Sequence, residues 1–553
     1  MYRLMRVMVV AVLLASTGER SLLAQELSFE ERVDSIFEDV SGATSPGCAV
    51  SVMRQGALIY ERGYGMANLE YGIPITPHSV FHVASVSKQF TAMAVELLVN
   101  EGKVSWDDDI RTYVPEVPDL GETITLRHLA HHTSGIRDQW SLLSMAGWRS
   151  EADVITQQDV LDITSRQTAL NFEPGEQFLY SNTGFTLLAV VVERVTGQTL
   201  REFTTQYIFE PLGMEATHFH DDHNMIVRSR AWGYAPDSEG EFGLRNSIPD
   251  FDVVGATSLF TTAHDMAAWD RNFITGQVGG AEALSRMRRP FRLNDGELSN
   301  YGHGLQLETY GGLRVERHGG ADAGFRSNFE RFPDQGFSTA VLCNYARANP
   351  TARAGAVARV YLADQMDGEG DGPVGLSSET VPMSHEDLMR FTGSYRGNPG
   401  QVWPVLVEND QLRFDGAALR PLGENRFEVI ESAQLVTFVA AEGGEIVALE
   451  GPPGRLERIP PWEPQTAELA EFTGTYRSAE LGTDYRLVME GAELWLHHRK
   501  LDAEVLWPIG RDEFGFGRGG SLARFTRDDR GSIDGFTISN GRVWGVRFDR
   551  VEG

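Results

Sequence analysis

The C-terminal third of the chain repeats itself. "RFTGSYRG" begins at Arg390 and "EFTGTYRS" at Glu471, an offset of 81 residues (471 − 390). The match continues in order: "LRFDG" with "LWLHH", "LRPLGENRFEV" with "LWPIGRDEFGF", "QLVTFV" with "SLARFT". Two copies of one unit must fold as two like modules. A unit of about eighty residues built from short alternating strands suits a small closed antiparallel barrel, not a solenoid, which needs shorter units and more of them. "PPWEP", from Pro460 to Pro464, is a stiff spacer. One barrel is therefore expected over 385–460 and a second over 466–553.

Upstream, residues 26–366 alternate helix-like and strand-like stretches and form a separate unit, joined to the barrels by an acidic, Gly-rich linker at 367–384 ("DGEGDGPVG"). The first residues, "MYRLMRVMVVAVLLASTGERSLLAQ", set Arg3 and Arg6 before an apolar run and small residues after it. That is the plan of a secretory signal peptide, placed at 1–24; the run is too short for an ordinary membrane helix, and no Cys follows it to carry a lipid. The mature chain is expected to be exported, periplasmic or extracellular in a bacterium, with no integral membrane segment. A net charge of −29, from 78 acidic and 49 basic residues, repels nucleic acid and anionic lipid, and no basic cluster offsets it. Export permits a disulfide, but Cys48 and Cys343 are the only cysteines and make no framework; they are read as buried free thiols.

Three motifs carry chemistry. In "SVFHVASVSKQFTAMAVELLVNEG", Val86, Phe90, Met93, Ala94, Leu97 and Leu98 recur at helical spacing and Gly102 stops the run. Ser85 then lies at a helix N-terminus with Lys88 one turn on, an S-x-x-K pair. A serine hydroxyl needs a neighbouring base, and a desolvated lysine supplies one. In "PGEQFLYSNTGF", Tyr180 can relay protons and Asn182 can donate to a substrate amide, 95 residues after Ser85 (180 − 85). In "VERHGGADAGF", His318, Gly319 and Gly320 open a run of strands, and the two glycines let another backbone or a substrate approach closely.

In this order and spacing the motifs resemble those of the serine β-lactamase and penicillin-binding protein superfamily, in the class C β-lactamase-related branch that includes D-aminopeptidases, DD-peptidases and esterases. "LRHLAHHTSGI", "EPGEQFLYSN" and "IFEPLGMEATHF" extend the resemblance over most of residues 40 to 360. It implies an α/β fold: an antiparallel sheet flanked by helices plus a helical subdomain, here followed by two small lipocalin-like antiparallel β-barrels, an arrangement most like that of D-aminopeptidases. It also implies Ser85 as acylated nucleophile, Lys88 as proton acceptor, Tyr180 as proton relay to the leaving group, and Asn182 holding the acyl chain. The oxyanion hole would use the N–H groups of Ser85 and Ala321. His318 stands where K-T-G has lysine and, by the resemblance, would share its electrostatic or proton-relay role as a fourth catalytic residue; a histidine titrates near neutrality where a lysine stays charged, which weighs against recognition of a substrate carboxylate. The implied substrate is a small peptide, amide or ester, best a D-amino-acid peptide or peptidoglycan fragment, with weak β-lactam hydrolysis as a side activity. Barrels in such enzymes can narrow the site's mouth. A carboxylesterase, or a penicillin-binding sensor with little turnover, are the alternatives on the same machinery.

Two histidine groups invite a metal. "HFHDDH", His218 to His223, matches H-x-H-x-D-H, with His264 or His303 as distant recruits, but it follows "PLGMEAT" in a serine-enzyme context and is read as a polar loop. His128, His131 and His132 are read as structural hydrogen-bonding groups near a turn. No phosphate-binding glycine loop is present, and no cofactor or metal is expected.

Overall fold

A computed structural model describes residues 27–367 apart from 150 and 239, and then 380–397, 401–430, 434–451, 454–517 and 520–551. The expected leader and most of the linker lie outside the described residues. No described helix is long and apolar enough to cross a membrane.

A six-stranded antiparallel sheet organises the first unit. Its strands are β1 (Cys48–Arg54), β2 (Ala57–Tyr64), β3 (Gln306–Tyr310), β4 (Leu313–Asp322), β5 (Phe325–Phe332) and β6 (Phe337–Cys343), in the order β3-β4-β5-β6-β1-β2. The N- and C-terminal parts of the unit thus meet at the β1–β6 seam. Strand alternation sends Cys48, Val50, Val52 and Val341 to one face. Ala49, Met53, Ala340 and Leu342 go to the other, against the helices α1 (Ser87–Asn100), α2 (Asn182–Thr196) and α3 (Ala263–Thr275). A fourth helix, α4 (Pro350–Leu362), covers the first face. This is the mixed α/β architecture expected.

The cysteines correct the sequence reading. Register sets Cys48 directly opposite Cys343 across the seam, and the two form a disulfide. A sequence separation of 295 hides this pairing from a linear reading; strand register decides it.

Both repeats close into eight-stranded barrels, over 393–459 and 474–551. The F-T-G-x-Y signature now has a physical meaning. Tyr395 donates its hydroxyl to the Phe391 carbonyl at 2.7 Å, and Tyr476 does the same to Phe472 at 2.8 Å. Gly393 and Gly474 lie at φ 140° and 153°, at the edge of the region that favours glycine. There Arg458 and Arg550 cross them to reach the Thr392 and Thr473 carbonyls, both at 2.6 Å.

The second barrel is built into the helical part of the first unit. Leu142, Leu143, Met145, Ile155 and Phe251 share one core cluster with barrel residues that include Tyr485 and Phe548. Beside it Arg137 meets Glu480 at 2.6 Å, both side chains 3% exposed, and Arg137 also donates to the Trp544 carbonyl at 2.6 Å. The first barrel leans on the second through Val402, Ile509 and Leu522.

Candidate active site

Ser85 sits in a 3₁₀ turn, Ala84–Val86, that runs straight into α1. Ala84, the residue before it, is held at φ 46°, a left-handed conformation that a non-glycine residue adopts only where its surroundings impose it. The turn is imposed from two sides: Ser87 donates to the Ala84 carbonyl and receives the Leu259 N–H at 2.9 Å, while Ser327 of β5 donates to the Val83 carbonyl at 2.8 Å. Ser85 is half-buried between buried neighbours.

Lys88 is completely buried. Its ammonium has three acceptors: Ser85 Oγ at 3.0 Å, Asn182 Oδ1 at 2.9 Å and the Ala256 carbonyl at 2.6 Å. Burial drives its pKa well below the ordinary lysine value, and the nearby Arg542 charge lowers it further, with Asp138 and Asp322 opposing. A lysine so placed is able to act as a base toward the Ser85 hydroxyl.

Asn182 opens α2, and its orientation is set by Asp138, which accepts both its backbone N–H at 2.7 Å and its side-chain Nδ2 at 2.8 Å. That fixes the amide so that Oδ1 faces Lys88. Tyr180, two residues earlier, lines the same cavity as Ser85, and its ring centre lies 4.9 Å from the Lys88 ammonium. Burial raises the phenol above its ordinary value, with Ser85 and Arg542 pulling the other way, so it stays protonated at neutral pH.

His318 lies on β4 and lines the same cavity, but not as a group that titrates near neutrality. Burial and the Lys88 charge bring its pKa to about 3. Both ring nitrogens are engaged, Nδ1 with the Gly319 carbonyl at 2.6 Å and Nε2 with the Tyr301 hydroxyl at 2.8 Å. A neutral imidazole donating from Nδ1 and accepting at Nε2 satisfies both bonds. The two glycines that follow are unequal. A Cβ on Gly320 would fall 2.2 Å from the Val83 carbonyl oxygen and 2.3 Å from Ser327 Oγ, so β4 can approach the nucleophile turn this closely only without a side chain. A Cβ on Gly319 would meet nothing nearer than 3.7 Å. Exposed Ala321 follows and lines the same cavity as Ser85.

The cavity has a volume of about 1300 Å³ and is lined by Ser85, Tyr180, Asn182 and His318 to Ala321, together with Gln434 from the first barrel and Arg542 from the second. All eight residues singled out from the sequence therefore line it or, for Lys88, lie directly beneath Ser85. Sequence reasoning missed four partners: Asp138, the Ala256 carbonyl, Tyr301 and Arg542. Arg542 comes from a barrel loop whose Asn540 side chain accepts its N–H at 3.0 Å, and Asn171 donates to its carbonyl at 3.0 Å. Its guanidinium lies 4.9 Å from the Tyr180 ring centre. Only the tertiary docking of the barrel reveals it; no local motif marks it.

None of the histidines in these two groups lines the cavity. His218 opens a short strand and packs on Phe260, as does His220, while His223 turns away to Asp252 at 2.9 Å. The segment is thus part strand, not wholly a loop, and its three imidazoles do not converge. His303 pairs with buried Glu96 at 2.9 Å. His128 accepts the Thr125 N–H, His131 bonds the Tyr301 carbonyl and His132 accepts the Ser181 N–H, so this trio braces the turn beside Tyr180.

Comparison with known proteins agrees with the geometry. The family model described as Beta-lactamase matches residues 33–364. A D-aminopeptidase of Gluconobacter oxydans is 29% identical over 455 residues, covering 79% of this chain and 80% of that protein. A D-aminopeptidase of Brucella anthropi is 26% identical over 526 residues, covering 92% and 96%. Penicillin-binding protein 4* of Bacillus subtilis is 26% identical over 429 residues, 75% and 93%. Among solved structures, the octameric penicillin-binding protein homologue from Pyrococcus abyssi superposes with a TM-score of 0.56 at 22% identity, over 86% of this chain and all of that one. The D-amino acid amidase from Ochrobactrum anthropi SV3 gives 0.52 at 24% identity, over 61% and 99%. At these identities the structures show a shared fold.

Proposed function

This chain belongs to the Beta-lactamase family, and we propose that it is an exported serine hydrolase that cleaves the amide bonds of small D-amino-acid peptides through an acyl-enzyme on Ser85. The observation that carries this reading is the 3.0 Å contact between Ser85 Oγ and a buried Lys88 whose pKa is driven down. Neutral Lys88 takes the Ser85 proton as Oγ attacks the carbonyl carbon. The N–H groups of Ser85 and Ala321 receive the oxyanion, where fixed donors act more strongly than in water. Tyr180, protonated and beside Ser85 in the cavity, gives its proton to the departing amine and takes back the one that Lys88 accepted, and water then releases the acyl group by the reverse transfer. Asn182, held by Asp138, keeps Lys88 aligned and offers its edge to the acyl chain. His318 serves as a neutral brace, not as a charge. The D-aminopeptidase names of two relatives, each matched over most of its length, support the substrate class.

The test is labelling with a fluorophosphonate probe, then turnover of paired D- and L-amino-acid amides and esters. Label that vanishes in Ser85→Ala, with D-amide turnover, is the expected result. Turnover of esters alone would make the chain an esterase, and labelling without turnover would make it a penicillin-binding sensor.

A further inference from the structure

Glu61, His78 and His264 come together on the surface of the first unit, away from the residues that line the cavity. Glu61 lies on β2, the edge strand of the sheet; His78 lies in the connection that leads toward the nucleophile turn; His264 is the second residue of α3. The backbone holds these three elements together independently of the side chains. The His264 N–H donates to the Pro77 carbonyl at 3.2 Å. The Ile75 carbonyl is packed so closely on Gly63 of β2 that a Cβ there would lie 2.1 Å from its oxygen. On this frame, His264 Nδ1 meets Glu61 Oε2 at 2.9 Å, the two imidazole rings lie 4.5 Å apart, and one ligand atom from each residue falls within 4.8 Å of the others. A surface ion pair accounts for His264 and Glu61. It leaves His78 unexplained, since that imidazole makes no hydrogen bond among the described residues.

We propose that Glu61, His78 and His264 form a binding site for a divalent transition-metal ion, with Zn²⁺ as its first occupant. Two imidazole nitrogens and one carboxylate oxygen suit borderline ions and not Ca²⁺ or Mg²⁺, which take oxygen donors. Zn–N and Zn–O bonds of about 2.0–2.2 Å place ligand atoms roughly 3.3–3.6 Å apart in a tetrahedron. The three atoms therefore need only small side-chain rotations, which exposed His78 and His264 can make. The fourth position opens to solvent, so the ion enters directly and keeps a water. Bound there, it ties the free edge of the sheet to α3 and to the segment that delivers Ser85, a structural clamp separate from the hydrolytic chemistry. The second group of this kind, Asp222, His223 and Asp252, offers one nitrogen against two carboxylates.

Tag-free full-length protein, stripped with EDTA and exchanged into chelator-free buffer, is titrated with ZnCl₂ by calorimetry, and Tm is read with and without the metal. We expect one equivalent to bind and to raise Tm. His78→Ala and His264→Ala should each lose that equivalent and its Tm gain, and His223→Ala should keep both. All three side chains are at least partly exposed, so the metal-free Tm of each variant should stay near that of wild type and certify its fold. In Co²⁺-loaded protein, visible d–d bands should appear in wild type and vanish with His264→Ala. Failure of wild type to take up zinc, unaltered binding in His78→Ala, or loss confined to His223→Ala would each overturn the assignment.

Discussion

Replacing Gly320 by alanine adds one methyl group to the chain and should nearly silence it. The new Cβ would stand 2.2 Å from the Val83 carbonyl oxygen, where ordinary contact begins near 3.4 Å. Strand β4 and the turn bearing Ser85 must therefore separate by roughly 1 Å. Neither side yields cheaply: the turn is tied to β5 through Ser327, and β4 is paired with β5 from Glu316 to Asp322. The displacement falls on the distance between the Ala321 N–H and the position proposed for the oxyanion, and a misplacement of about 1 Å costs about a hundredfold in rate, close to 2.7 kcal/mol of transition-state stabilisation. Strain of overpacking should cost the fold about 1–3 kcal/mol, too little to unfold a domain of ordinary stability. Gly319→Ala is the matched control, because its Cβ meets nothing within 3.7 Å. Turnover of D-alanine p-nitroanilide and the rate of fluorophosphonate labelling, with Tm alongside, read the outcome. Gly320→Ala within about threefold of wild type in kcat, or losses as deep in Gly319→Ala, would refute the argument that close approach of β4 builds the oxyanion site.

Other elements make equally definite demands. Glu330 is fully buried on β5 with a pKa raised by burial to about 7 from 4.5. The folded state therefore holds its proton more tightly than the unfolded chain, and stability from this group is present below about pH 4.5 and lost as pH rises through 7. Glu330→Gln should flatten that slope and raise stability at pH 8 by roughly 3 kcal/mol, measured by urea melts across pH. Removing the Cys48–Cys343 bond by double Ser substitution should cost about 2–5 kcal/mol in the same melts, and dithiothreitol should lower the Tm of wild type but not of that variant. Glu480→Ala strands the Arg137 guanidinium in a buried interface; the loss should be about 3–5 kcal/mol, seen as early release of the second barrel and cleavage near Pro460–Pro464 in limited proteolysis. A urea midpoint that does not move would mean that the pair is dispensable for docking.

What the sequence discloses follows from the range over which each constraint acts. Ser85 and Lys88 are three residues apart on one helix, so their contact is written in the helical period itself. Tyr180 and Asn182 flank a helix entrance, and the two barrels announce themselves because F-T-G-x-Y encodes a bond four residues long, from the tyrosine hydroxyl back to the phenylalanine carbonyl. The failures share the opposite property. Cys48 and Cys343 depend on the register of a seam closed by strands at the two ends of the unit. Linear spacing carries no trace of it. The charge state of His318 depends on what buries it, which the residue type alone does not tell. Arg542 is the extreme case: 454 residues separate it from Lys88 (542 − 88), yet its charge helps to lower the pKa of that base. The candidate catalytic residues are legible because local geometry must hold them in place. The residues that tune them come from wherever the fold has surface to spare, and here that is the loop of a barrel whose own sequence signature concerns only its closure.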